Sequence, residues 1–110
     1  MQNGGQLISE REKEARLAYD KVKADIDVVV NRMQTAWNEC CTARSEEKSA
    51  YSRIQKSTAN TEGNIKEYES ARERLVIAKK QYKAAQIDYK KLEAERARLK
   101  AELRRLKTKH

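Results

Sequence analysis

Apolar residues recur at alternating spacings of three and four along almost the entire chain, in one unbroken seven-residue repeat. If the repeat is lettered a to g, position a falls on every seventh residue from Tyr19 to Leu103, and position d on every seventh residue from Val22 to Leu106. Helices with such a stripe pair along it as a coiled coil. The pattern therefore predicts an all-α protein whose core is a long helical seam.

The seam has one polar interruption, where Ser57, Thr61 and Asn64 occupy three consecutive seam positions. Such side chains compete for backbone hydrogen bonds and favour turns and caps. Gly63 is a natural helix stop, and Asn64, like Ser9, precedes a glutamate by three residues, which is typical of a helix start. We therefore expect four segments: a flexible tail at 1–8, a first helix at 9–56, a hairpin tip at 57–63 and a second helix at 64–110.

The two predicted helices are nearly equal in length, which favours a long antiparallel coiled-coil hairpin. A turn centred near Ala59 would bring small residues opposite large ones, as close packing demands. The pairs in this register are Ala50 with Tyr68, Ala43 with Leu75 and Ala36 with Tyr82. A register shifted by one heptad is also complementary, so both registers stay open.

The alternative is one continuous helix in a parallel dimer. Tyr68, Tyr82 and Tyr89 would then each meet their own copy at position a, where such dimers prefer Ile or Val. The hairpin is the better interpretation.

Several apolar residues lie off the seam, mostly near the middle of each helix. A two-stranded seam buries a and d only, so these side chains would stay exposed and form a contact surface. We expect them to support self-association into a dimer or four-helix bundle at mid-length, and the alternatives are a groove for another protein with Trp37 as anchor or scattered surface residues. The candidate interaction residues are Val30, Trp37, Cys41, Tyr51, Val76 and Ile77.

The composition agrees with long helices and excludes several classes of protein. Of the 110 residues, 38% are charged, proline is absent and glycine occurs three times. No run of 18 apolar residues is available for a membrane span, and the first residues lack the pattern of a secretory signal. The adjacent Cys40 and Cys41 point about 100° apart on a helix, so they cannot pair with each other. We expect a reduced, cytoplasmic protein, with Cys40 in the seam.

The sequence offers no catalytic constellation. The one histidine is the terminal residue, His110, so neither a zinc site with the two cysteines nor a Ser/His/acid set can be assembled. We expect no enzyme activity, no metal and no cofactor.

The net charge of +8 is concentrated in the second half of the chain, because residues 1–56 carry net +1 and residues 57–110 net +7. A basic surface of this kind attracts anionic partners. The candidate basic residues are Lys79, Lys80, Lys90, Lys91, Arg104 and Arg105.

These observations favour a non-enzymatic scaffold or dimerisation module that binds itself and other proteins. Its hairpin tip is a candidate contact point, with Thr58, Asn60, Thr61 and Gly63 as the residues concerned. The alternative is a membrane-surface scaffold that uses the basic C-terminal third of the chain, from Lys79 onward, and is similar in architecture to BAR-type helical dimers. Nucleic-acid binding ranks lower, because acidic residues interrupt the basic run.

Overall fold

The computed structural model describes residues 2–56 and 61–108, with side chains at 10–56 and 61–107. It contains two helices, α1 at Gln2–Lys56 and α2 at Thr61–Thr108. The all-α helical hairpin predicted from the heptad pattern is confirmed, and the single continuous helix is wrong.

Helix α1 begins at Gln2 rather than at residue 9, so most of the predicted tail is helical. Extending an existing helix adds one hydrogen bond for each residue that is fixed, whereas starting a new one is costly. Gly4 and Gly5 each weaken the helix by about 1 kcal/mol, which is less than the roughly 3 kcal/mol that a proline would cost. No proline is present in the chain.

Helix α2 begins at Thr61, three residues before the predicted start at Asn64. The oxygens of Asn64 and Glu67 accept hydrogen bonds from the Arg53 guanidinium, with 3.3 Å between Arg53 Nε and Asn64 Oδ1. Asn64 therefore lies inside α2 and does not cap it. Of the predicted tip residues, Thr61 and Gly63 belong to α2, while Thr58 and Asn60 lie outside the described residues.

The chain divides into two compact units, which are described separately. Unit 1 comprises Met1–Val30 and Ile87–His110, and unit 2 comprises Asn31–Gln86. In unit 1 the buried apolar residues are Ala15, Ile26, Val29, Leu99 and Leu106. In unit 2 they are Ala36, Cys40, Ala43, Ala50, Ala71, Ala78 and Ala85. Every one of these residues occupies an a or d position, so burial follows the predicted seam.

Two ring contacts set the register of the helices in unit 2. The ring centroids of Tyr51 and Tyr68 lie 5.9 Å apart, and those of Trp37 and Tyr82 lie 5.7 Å apart. Tyr51 follows Ala50 and Trp37 follows Ala36, so the alanines lie opposite the tyrosines as in the register centred near Ala59. A shift of one heptad would separate each ring pair by about 10 Å along the axis. The shifted register is therefore excluded in unit 2.

Candidate interaction surface

The two flanks of the seam in unit 2 carry different chemistry. In an antiparallel pair, e positions of one helix adjoin e positions of the other, and g positions adjoin g positions, with b beside e and c beside g. The ion pairs and ring contacts in unit 2 follow this division. Each flank is therefore a distinct surface, and the position letter assigns a residue to one or the other.

The first of these surfaces, the ion-pair flank, consists of the g and c positions of unit 2. Arg53 pairs with Glu67 across the seam. Arg74 pairs with Glu39 at 3.3 Å and with Glu46 at 2.6 Å. All five residues are g positions, and each arginine has a carboxylate partner on the opposite helix. The cross-seam arginines of this flank are therefore neutralised within the chain.

The second surface, the aromatic flank, consists of the e and b positions of unit 2. Trp37 is 52% exposed and Tyr51 is 50% exposed. One side of the Trp37 ring packs against Tyr82 of α2, and one side of the Tyr51 ring packs against Tyr68. Ile65 and Val76 of α2 are exposed on the same flank, as is the free thiol of Cys41. Each aromatic ring is thus fixed on its inner side and open to solvent on its outer side.

Basic side chains alternate with these apolar ones along the aromatic flank. The exposed cations are Arg44, Lys48, Arg72, Lys79 and Lys83, and the acidic residues are Glu62 and Glu69. The Arg72 guanidinium lies over the Tyr68 ring, 5.6 Å from its centroid. None of the five cations makes an ion pair within the part of the chain that the structure describes. In the register set by the ring contacts, Arg44 and Arg72 occupy opposite e positions, so two like charges fall in the same layer of this flank.

The structure brings some of the predicted interaction residues together and separates others. Trp37, Cys41, Tyr51 and Val76 share the aromatic flank. Ile77 is exposed at a c position on the ion-pair flank, and Val30 is exposed in unit 1. Leu17 and Ile87 of unit 1 are also exposed, as are Arg44 and Arg72 of unit 2, and none of the four is among the predicted interaction residues. Sorting charged residues by heptad position in the antiparallel register would have found the two arginines.

The predicted basic residues are exposed but do not share one helix face. Lys79 lies at e, Lys90 and Arg104 at b, Lys80 at f, and Lys91 and Arg105 at c. In unit 1, four cations surround Tyr19 and Leu103 in a basic groove whose remaining lining residue is Asp20; these cations are Arg16, Lys100, Arg104 and Lys107. Arg104 is the one predicted residue that contributes to this groove.

Ion pairs within α2 join Arg96 to Glu93 and Arg98 to both Glu95 and Glu102. Arg96, half-buried at a seam position, reaches the Glu93 carboxylate at 2.8 Å. Its stem can thus occupy the seam while its charge stays at the edge. A hydrogen bond from Arg98 lowers the pKa of Glu95 below its ordinary value. The carboxylates of these pairs lie beside the cations and reduce the positive potential of this segment.

Among the described residues, no group of three or more His, Cys, Asp or Glu side chains is arranged to hold a metal ion. Neither helix contains, within the same residues, a stretch that is apolar enough to cross a bilayer. No protein-family model, curated protein or solved structure matches the chain.

Proposed function

We propose that the chain is a non-enzymatic helical scaffold that binds a partner helix along the aromatic flank of unit 2. The observation that carries the proposal is the exposure of Trp37 and Tyr51 at about half of their surface. The contacts between α1 and α2 leave the outer sides of both rings exposed to solvent. A partner that covers them completes the burial of both rings.

The aromatic flank has the spacing of a second helical seam. Its e and b residues on α1 are four and three positions apart, and run in the order Trp37, Cys41, Arg44, Lys48 and Tyr51. A helix that lies in the groove between α1 and α2 would meet this stripe and the matching one on α2. Helix-in-groove recognition uses this repeat of anchors.

The expected energy of such binding is concentrated in the aromatic anchors. Covering the open half of the Trp37 side chain removes roughly 100 Å² from water and is worth about 2 kcal/mol. Tryptophan and tyrosine are also enriched among the residues that dominate protein interfaces. Trp37 and Tyr51 are therefore the residues on which binding should depend most.

A displayed library of amphipathic helices, each about 28 residues or four heptads long, tests the proposal. Selection against the folded protein should enrich helices that bind the wild type, and the W37A/Y51A variant should bind them at least about 30-fold more weakly. The matched control is I77A, which removes an exposed apolar side chain from the other flank and should leave binding unchanged. If no helix is enriched, or if I77A weakens binding as much as W37A/Y51A, the proposal is wrong.

Self-association through the same flank, giving a four-helix bundle, is the homodimeric form of this proposal. Sedimentation equilibrium between low and high protein concentration measures it. A dimer that W37A/Y51A disrupts and I77A does not would identify a second copy as the partner helix. The proposed setting is cytoplasmic, in keeping with the free thiols of Cys40 and Cys41.

The basic groove of unit 1 supports a second candidate function, binding to an anionic membrane surface. Each cation near such a surface contributes about 1 kcal/mol, and salt screens the attraction. Co-flotation with phosphatidylserine vesicles should therefore occur at low salt and be lost in R104E/K107E. The control K21E/K91E makes the same charge change at c positions and should float as the wild type does. Equal loss in both variants would indicate attraction by net charge alone and would reject the groove.

A further inference from the structure

We infer that the partner helix of the aromatic flank is acidic and that its carboxylates lie between Arg44 of α1 and Arg72 of α2. This inference rests on the proposed function and adds the chemistry of the partner. The two flanks of unit 2 have the same backbone geometry, but arginines are paired with carboxylates across the seam on the ion-pair flank only.

On the ion-pair flank, the cross-seam arginines of unit 2 are neutralised by carboxylates of the same chain. Arg53 and Arg74 both reach glutamates of the opposite helix. Those pairs contain one cation and one carboxylate at adjoining g positions. The chain therefore supplies the counter-charges of Arg53 and Arg74 on the ion-pair flank, and these arginines need no carboxylate from a partner.

The aromatic flank has the reverse arrangement. Arg44 and Arg72 occupy opposite e positions in the register set by the ring contacts, and like charges in this relation destabilise a helix pair. Lys48, Lys79 and Lys83 add further positive charge, and no carboxylate pairs with any of them among the residues described. A glutamate from a third helix, placed over the layer of Arg44 and Arg72, would contact both guanidinium groups. The carboxylate would offset the repulsion between the two arginines with two ion pairs.

The positive charge of the aromatic flank also argues against a second copy of the chain as the partner, and the ring contacts argue against a lipid surface. A second copy would bring an equally positive flank against this one, which opposes self-association at low salt. Insertion at a lipid interface requires apolar groups to enter about 5–10 Å into the headgroup region. The rings of Trp37 and Tyr51 are held back by their contacts with Tyr82 and Tyr68. An acidic helix needs neither insertion nor the approach of like charges.

The experiment uses the helix library described above, with leucine or isoleucine at a and d and either glutamate or lysine at each e and g position. Helices enriched by the wild-type protein should carry glutamate several-fold more often than lysine. The R44E/R72E variant should invert that preference. This variant exchanges two adjoining cations for two adjoining anions, so the sign of the intramolecular pair is preserved. Circular dichroism checks that its helix content is unchanged.

The matched control is K66E/K80E, which makes the same total charge change at f positions of unit 2. It should keep the preference for glutamate, because f positions lie away from the groove. The fluorescence of Trp37, which is the only tryptophan of the chain, should shift to shorter wavelength when an enriched acidic helix binds. These results would support the inference.

Three results would overturn the inference and leave the proposed function intact: enriched helices without a charge preference, an inversion in K66E/K80E equal to that in R44E/R72E, or self-association that blocks Trp37 at low salt. Tighter binding of the aromatic flank to phosphatidylserine vesicles or to duplex DNA than to any enriched helix would also overturn it. Failure to enrich any helix would reject the proposed function itself.

Discussion

Arginine residues that look equivalent in the sequence have opposite environments on the two flanks of unit 2. Arg53 and Arg74 at g positions bind carboxylates across the seam. Arg44 and Arg72 occupy opposite e positions in the register set by the ring contacts, and Arg72 lies over the Tyr68 ring. The position of a side chain in the heptad, rather than its type, thus determines whether its charge is satisfied inside the chain.

This difference predicts opposite effects for the same substitution on the two flanks. R44E places a carboxylate opposite Arg72 and should stabilise the hairpin by about 0.5 kcal/mol, or a few degrees in Tm. R53E places a carboxylate beside Glu67 and should lower Tm. Thermal unfolding followed by circular dichroism measures both, with R44Q expected between wild type and R44E. If R44E lowers Tm, the two arginines are not adjoining.

At the scale of the helices, alanine at d positions allows the close approach of α1 and α2 in unit 2. Ala43, Ala78 and Ala85 are completely buried. In the register set by the ring contacts, Ala36, Ala43 and Ala50 lie opposite the large residues Tyr82, Leu75 and Tyr68. A small residue on one helix makes room for a tyrosine or leucine on the other. Because each of these three layers pairs a small residue with a large one, added volume there has no space to occupy.

Ala43→Leu should therefore destabilise the hairpin by about 1–3 kcal/mol, because the new side chain would meet Leu75. The control is Ala84→Leu, at an exposed c position of α2, with an expected change within about 0.5 kcal/mol. Chemical denaturation measures both free energies of unfolding. Equal stability of the two variants would mean that Ala43 does not lie in a tightly packed layer.

Helix α2 also includes Gly63, which the sequence analysis assigned to the tip. In a helix, replacing glycine by alanine stabilises by about 0.5–1 kcal/mol, since alanine loses less backbone entropy. Gly63→Ala should raise Tm accordingly. In a left-handed turn the same change would clash and lower Tm, so the sign of the shift decides between the two assignments.

At the scale of the whole molecule, the chain is a helical hairpin composed of two units, and each unit contains segments of both α1 and α2. In unit 1, residues near the start of α1 therefore lie beside residues near the end of α2. The net charge of +8 is not evenly spread over this arrangement. In unit 2 it collects on the aromatic flank, and in unit 1 part of it lines the basic groove.

Antiparallel pairing in unit 1 predicts a short distance between labels at Lys13 and Lys107, two exposed residues. Helices in contact have axes 8–10 Å apart, so spin labels introduced there by cysteine substitution should be roughly 10–30 Å apart. Cys40 and Cys41 are replaced by alanine in this background. A parallel arrangement of continuous helices would instead separate the labels by well over 100 Å along the axis.

The heptad pattern was sufficient to predict the helical class and the buried positions, and its polar interruption between two helices of nearly equal length predicted the hairpin. The spacing of Ile26, Val29 and Leu99 specifies a helix face directly, because side-chain direction on a helix depends only on residue number. Small residues that fall opposite large ones, such as Ala50 opposite Tyr68, left two possible registers for the pairing of α1 with α2. Local signals at the turn were less informative: Asn64 and Glu67 resemble a capping box, but Arg53 of the other helix binds both side chains.

The sequence by itself thus determined which residues face the seam, because periodicity is a property of one helix. Only the tertiary structure decided the register and therefore which side chains adjoin across the seam. That choice separates the neutralised Arg53 and Arg74 from the adjoining Arg44 and Arg72. It also fixes Trp37 and Tyr51 against α2 with their outer sides exposed. The physical reason is that charge and ring contacts between helices depend on the relative position of two segments, which no single periodicity specifies.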